Sequence, residues 1–162
     1  MPTRLTESGY VLDRQDRAIL QILQRDNKTP QRVIAEEVSL SAPAVQRRIA
    51  ALEAAGVIQR NVAVLDADAL GATITSIVEV QLVDERAATV DRAKAIFRET
   101  PEVQQCYYVT GGVSCVLIIV AANMRSYEGL TRRLFAENEQ VKSFRSLVAL
   151  DRVKTDTAIV IP

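Results

Sequence analysis

The sequence predicts an α+β chain in two parts, a three-helix unit followed by a βαββαβ unit. Three observations predict it. Up to Gly56, apolar residues recur at three- and four-residue spacing, the period of helices that bury one stripe. From Thr73 the period drops to two, as in strands with one buried face. Between the later apolar runs stand Thr100-Pro101 and Gly111-Gly112, pairs that stop a helix and turn a hairpin.

Residues 1–11 carry Thr, Ser, Gly and Pro with little pattern and are expected to form a frayed arm. Asp13 is an N-cap candidate for a first helix, with Ile19, Leu20 and Leu23 on one stripe, Asp16 one turn before it and an end near Asn27. A second, shorter helix over Arg32–Val38 is opened by Thr29-Pro30 and closed by Ser39-Leu40-Ser41. The third is the best defined. Ser41 supplies an N-cap hydroxyl, Pro43 sits in the first turn where no N–H is missed, and Gly56 offers a positive φ to end it. Val45, Ile49 and Leu52 form its apolar stripe, with Ser41, Gln46, Arg47 and Ala50 opposite and Arg48 on the flank.

Two helices joined by a short turn are the helix-turn-helix unit, whose second helix lays its N-terminal residues on base edges in the DNA major groove. On that reading Gln46 and Arg47 are base-edge or groove contacts, and Arg32, Arg48 and Arg60 hold phosphate. Ser41 and Pro43 complete the candidate DNA-binding set at the helix start. The run after Gly56, V-I-Q-R-N-V-A-V-L, alternates with Ile58, Val62 and Val64 on one side and predicts a strand that would serve as a wing. A winged helix-turn-helix domain is thus expected over 1–65, with a linker at 66–72 around D-A-D-A-L-G.

In residues 73–162 the first strand carries Ile74, Val78, Val80 and Leu82 on one face, and a helix over Ala87–Glu99 buries Val90, Ala93, Ile96 and Phe97. Val103–Thr110 and Ser114–Ala122 follow as strands around the Gly-Gly turn. Asn123 then caps a helix with Tyr127, Leu130, Leu134 and Phe135 on one side, and Val141–Asp151 is the last strand. The order βαββαβ is the ferredoxin-like sandwich. Its third strand, C-V-L-I-I-V, is apolar on both faces, although two helices on one side of the sheet cover only one of them. The same face of a second subunit is the expected cover; burial by the chain's own loops and tail is the alternative.

Charge narrows the function classes. The chain is neutral, but residues 1–65 hold nine Lys/Arg against seven Asp/Glu and the remainder is correspondingly acidic. So small an excess demands local clustering of arginines and the multiplying effect of a dimer. With no histidine, the commonest general base and transition-metal ligand is absent, and no nucleophile–base pair, metal cluster or phosphate-cradling loop is legible. No catalysis, cofactor or metal is expected. The N-terminus has no apolar signal core, and no window reaches the roughly 18 uncharged apolar residues of a membrane span. A cytoplasmic protein with reduced thiols is the expectation. Cys106 and Cys115, in adjacent strands, are read as small buried fillers in preference to a redox switch.

Taken together, L-D-R-Q-D-R-A-I-L-Q-I-L-Q-R-D (12–26), L-S-A-P-A-V-Q-R-R-I-A-A-L-E-A-A-G-V-I (40–58), P-E-V-Q-Q-C-Y-Y-V-T-G-G (101–112) and V-K-T (153–155) resemble the Lrp/AsnC family of transcription factors, in the expected order and over nearly the whole chain. The resemblance implies a sequence-specific regulator whose partner is double-stranded DNA, acting in the cytoplasm at the nucleoid. It further implies homodimers that assemble into tetramers or octamers, and control by an amino acid or related metabolite. The effector pocket it implies lies between dimers, at Val109, Thr110, Gly111, Gly112 and Ser114, near the start of the helix bearing Met124 and Tyr127. Two departures stand out. Ala50 and Ala51 occupy places where basic residues are frequent, and Ser114 stands where an Asp usually holds the effector's ammonium group. Without that charge-assisted partner, a weak response to simple neutral amino acids is expected. The competing functional class is a metabolite-binding oligomeric module that acts on protein partners instead of DNA.

Overall fold

The computed structural model describes residues 9–162, so most of the arm expected over 1–11 lies outside the described residues. The chain divides into two compact units, residues 9–64 together with Thr155–Pro162, and Leu65–Lys154. The sequence-based division at 1–65, 66–72 and 73–162 left the C-terminal tail with the sheet. Instead the tail packs on the first helix: Gln24 Nε2 donates to Ile159 O at 3.0 Å, Ile159 N donates to Gln24 Oε1 at 3.1 Å, and Arg17 donates to Pro162 O at 2.7 Å. These are backbone contacts, which the side-chain pattern of the tail does not encode.

In the first unit, α1 (Arg14–Leu23) opens with a reciprocal capping box between Asp13 and Asp16. It ends four residues before Asn27, and Ile22 joins Ile19 in the core where Leu20 and Leu23 are only partly covered. α2 (Gln31–Val38) closes on Ser39 in the left-handed region, φ 54°, which turns the chain toward α3. α3 (Ala42–Ala54) is capped by Ser41, whose Oγ accepts from Ala44 N at 3.3 Å. Ile19, Ile22, Ile34, Ala35 and Val45 form the shared core.

The expected wing strand does not form. Residues 57–65 have no strand pairing, and Val62, Val64 and Leu65 are 59%, 91% and 68% exposed. Alternation supplies two faces but not a partner, and an extended segment becomes a strand only when another backbone accepts its hydrogen bonds.

The second unit is a four-stranded sheet in the order β2-β3-β1-β4, built from β1 (Ile74–Leu82), β2 (Val103–Tyr108), β3 (Cys115–Ala121) and β4 (Val141–Val148). All neighbouring strands run antiparallel, β3 lying between β1 and β2, which makes a split βαβ arrangement. α4 (Ala87–Glu99) and α5 (Met124–Thr131), the latter continuing into one π-helical turn at Arg132–Ala136, pack on one face. That face is the core: Val78, Val80, Leu82, Cys115, Leu117 and Ile119 meet Val90, Phe97, Leu130 and Phe135. Pairing places Ile77 opposite both Ile118 and Leu147. Alternation therefore puts Ile77, Val116, Ile118, Val120 and Leu147 on the other face, where no helix covers them. Among the described residues no helix is long and apolar enough to cross a membrane.

Candidate functional site

The start of α3 is shaped by its sequence. The Ser41 cap fixes the first turn, Pro43 sits within it, and the buried Val45 and Leu52 anchor the helix by one side. One turn along α3 from Pro43, Arg47 falls on the side opposite that core, with Gln46 on its flank, and all three are exposed. Arg32 and Arg60 are exposed as well. Among the described residues no ion pair within the chain uses Arg32, Arg47 or Arg60.

Arg48 has a different fate from the phosphate contact expected of it. Its Nη1 donates to Asp13 Oδ2 and to Asp16 Oδ1, both at 2.7 Å. Asp16 is buried, 1% exposed, and also receives the Tyr10 hydroxyl at 3.3 Å and the Asp13 N–H at 3.2 Å. The bonds to Asp16 and Asp13 push the Arg48 guanidinium further up. Partial burial works against the Asp13 carboxylate, but the Asp16 N–H and Arg48 outweigh it and hold Asp13 below its ordinary value. The ion pair ties α3 to α1. Arg48 lies three residues after core Val45 and four before core Leu52, so it borders the core and cannot share the outward edge with Arg47. The clue in the sequence is Asp16, a carboxylate directly ahead of a buried stripe, which requires a cation.

In the second unit, Val109 N donates to Ser114 O at 3.0 Å and closes the β2–β3 turn. Gly111 and Gly112 sit at φ 109° and 101°, a region in which a side chain is strained. Among the described residues no backbone bond uses either N–H, and the space beside both is open. Ser114 is buried at 1% exposure. Its Oγ accepts from Leu82 N at 3.0 Å and donates to Glu85 Oε1 at 2.5 Å, while the Tyr108 hydroxyl donates to Glu85 Oε2 at 2.6 Å. Those two bonds, from Ser114 first, hold the exposed Glu85 carboxyl below its ordinary range.

This corrects the expectation drawn from Ser114. A negative charge does stand at the turn, but it arrives from residue 85, just before α4, and Ser114 orients it. No local pattern signals this, because residues 85 and 114 meet only through sheet register.

Met124 and Tyr127 are not brought to that turn within the chain. They follow the other end of β3, and its seven residues at about 3.3 Å each separate the two ends by roughly 20 Å. Tyr127 is a core residue whose hydroxyl meets Ser76 Oγ at 2.8 Å and donates to Ser146 Oγ at 2.6 Å. Met124 is exposed. Of the cysteines, Cys115 is buried as expected, but Cys106 is exposed, because β2 is an edge strand.

Residues 12–59 match the family model of winged helix-turn-helix DNA-binding domains, and residues 75–159 match that of the Lrp/AsnC ligand binding domain. An HTH-type transcriptional regulator of Sinorhizobium fredii is 43% identical over 96% of this chain and 92% of its own length. The leucine-responsive regulatory protein of Rhizobium meliloti is 32% identical over 88% of this chain and 92% of its own. The crystal structure of an AsnC family transcriptional regulator from Agrobacterium tumefaciens superposes with a TM-score of 0.85 at 30% identity, covering 92% of this chain and 97% of that one.

Proposed function

Because this chain belongs to the Lrp/AsnC family and is a DNA-binding transcriptional regulator with a ligand-binding domain, we propose that it reads its operator through Gln46 and Arg47 as a two-fold dimer and senses an amino acid at the 109–114 turn. The observation that carries the reading is the outward edge of α3, where Gln46 and Arg47 are exposed beside the capped helix start and Arg47 is unpaired. Bidentate donors there suit base edges, while Arg32 and Arg60 suit phosphates, and Ser41 and Pro43 keep the helix start narrow. Arg48 is assigned to the fold and not to DNA.

The dimer uses the uncovered sheet face. Ile77, Val116, Ile118, Val120 and Leu147 form its apolar centre, and the Glu79–Arg145 pair at 2.7 Å supplies a polar edge. A second copy is self-complementary to such a patch under two-fold symmetry, and higher assemblies follow from further contacts between dimers. Two heads per dimer compensate for the few cations on each. Residues 66–72 serve as the link between the DNA-binding and sheet units, and the protein acts on chromosomal DNA in the cytoplasm.

For the effector, the ammonium of an amino acid pairs with Glu85, and its carboxylate receives the open N–H groups of Gly111 and Gly112. Support comes from the leucine-responsive relative and from the opposite polarity of the two halves of the turn. Selection of bound fragments from the host's genomic DNA, with and without pooled amino acids, tests the whole reading. The expected fragments share near-palindromic half-sites about 10 base pairs, or a multiple, apart. Fragments without a common motif would favour a module that acts on protein partners.

A further inference from the structure

On the side of the sheet facing α4, a cleft of about 450 Å³ opens between that helix and β2, lined by Lys94, Phe97, Arg98, Gln104, Cys106 and Tyr108. Register pairs Cys106 with Leu117 and Tyr108 with Cys115, so the two cysteines are diagonal neighbours on one face. The Cys115 thiol adjoins the Cys106 sulfur, and Lys94 and Arg98, one helical turn apart on α4, add positive charge from above. Lys94 Nζ is fixed 4.2 Å from the centre of the Tyr108 ring. Cys106 is exposed and Cys115 buried.

We infer that Cys106 is a modification site for small peroxides, with Cys115 as the resolving thiol behind it. The Cys106 thiolate attacks one peroxide oxygen, the O–O bond breaks, the sulfur is oxidised to a sulfenic acid and the other oxygen leaves as hydroxide. The Cys115 sulfur then forms the S–S bond as the S–O bond breaks, and its proton leaves with the hydroxyl as water. In sum two thiols and one hydrogen peroxide give one disulfide and two waters.

The chemistry of the two sulfurs is divided by their surroundings. The adjoining Cys115 thiol, more than the neighbouring Lys94 and Arg98 charges, lowers Cys106 to about 7, against the opposing effect of partial burial. Cys115 is pushed up by the adjoining Cys106, then by burial, with Glu85 adding to the rise. Tyr108 is the other titratable group facing the pair, and its own rise comes first from its bond to Glu85. The exposed sulfur is therefore the thiolate and the buried one keeps its proton. β2 lies at the edge of the sheet and can yield toward β3 as the bond closes. It also leads directly into the turn that carries Gly111, Gly112 and Ser114, so oxidation would act on the effector site.

The test uses the full-length protein. Alkylation of Cys106 by iodoacetamide, followed by mass spectrometry, is expected to show a rate midpoint near pH 7, against about 8.5 for an ordinary thiol. The midpoint should rise in Lys94→Gln and Arg98→Gln, which leave both thiols in place. Hydrogen peroxide at a few equivalents should remove both free thiols within one chain, and in Cys115→Ser a dimedone adduct should appear on Cys106. A midpoint at or above 8.5 would overturn the inference. So would a wild type that retains two free thiols, or one that yields only chain-to-chain disulfides or sulfinic acid on Cys106.

Discussion

The three-helix unit and the sheet unit leave different things unmatched at their surfaces. The first encloses its apolar stripes and the Arg48–Asp16 ion pair, and among the described residues leaves Arg32, Arg47 and Arg60 without carboxylate partners. The second pairs some of its charges within itself, as Arg145 does with Glu79 and Arg152 with Asp68, and leaves a sheet face of Ile, Val and Leu uncovered. Unpaired cations are stable in water and await a polyanion, whereas uncovered apolar area is unfavourable until another surface meets it. Under the proposed dimer, DNA contact is conditional and salt-dependent, while self-association completes the fold of the sheet unit.

The sharpest way to break this contrast is to place a charge on the uncovered face. Ile118→Asp would bury an unpaired carboxylate in the dimer, at a cost of about 3–5 kcal/mol, or two to four decades of dimer affinity. Light scattering should then return a monomer with its circular dichroism intact. Ile119→Asp, on the helix-covered face, should unfold the sheet unit instead. A wild type that already scatters at 17.8 kDa would refute the assignment of that face.

Next in size is the ion pair that the first unit encloses. Arg48→Ala strands the Asp16 carboxylate and should lower stability by roughly 2–4 kcal/mol, below the fully buried value because about a third of the Arg48 side chain is exposed. The pH dependence sharpens it. Asp13 has a depressed folded pKa, so its contribution is present above about 3.9 and is lost as pH falls through the folded value. Urea titrations of wild type and Arg48→Ala should therefore converge under acid. A constant gap down to pH 2 would contradict the assignment.

Much of this contrast was legible in the sequence, and what escaped shares a cause. Ser41, Pro43 and Gly56 announce α3 because capping and φ preferences are local, and the C-V-L-I-I-V strand announces a second cover because alternation is local too. Arg48, Glu85 and Cys106 were misread or missed because their partners lie 23 residues or more away, or because strand order sets their exposure. The strand expected over 57–65 failed for the same reason in reverse: those residues have the right alternation but no neighbouring strand. Tyr127 was assigned to the effector by resemblance, yet its two serine partners, 51 and 19 residues away, commit it to the core.

A smaller effect concerns the effector turn. Glu85→Gln keeps the side chain's size and one acceptor oxygen for the two hydroxyls but removes the charge, and should weaken amino-acid binding by about 1.5–3 kcal/mol in calorimetry. Ser114→Ala should act in the same direction by releasing Glu85. Binding unaltered by both changes would place the ligand elsewhere.

The central claim is that adjacent arginines on α3 do opposite work, Arg47 for DNA and Arg48 for the fold. Arg47→Ala should leave stability within about 0.5 kcal/mol of wild type, since Arg47 is exposed and makes no ion pair among the described residues. The decisive measurement is a competition titration of Arg47→Ala on the selected operator, on single-base variants and on random DNA. The account predicts a loss of roughly 1–3 kcal/mol of discrimination, confined to one position of each half-site. Equal weakening on operator and random DNA would contradict it.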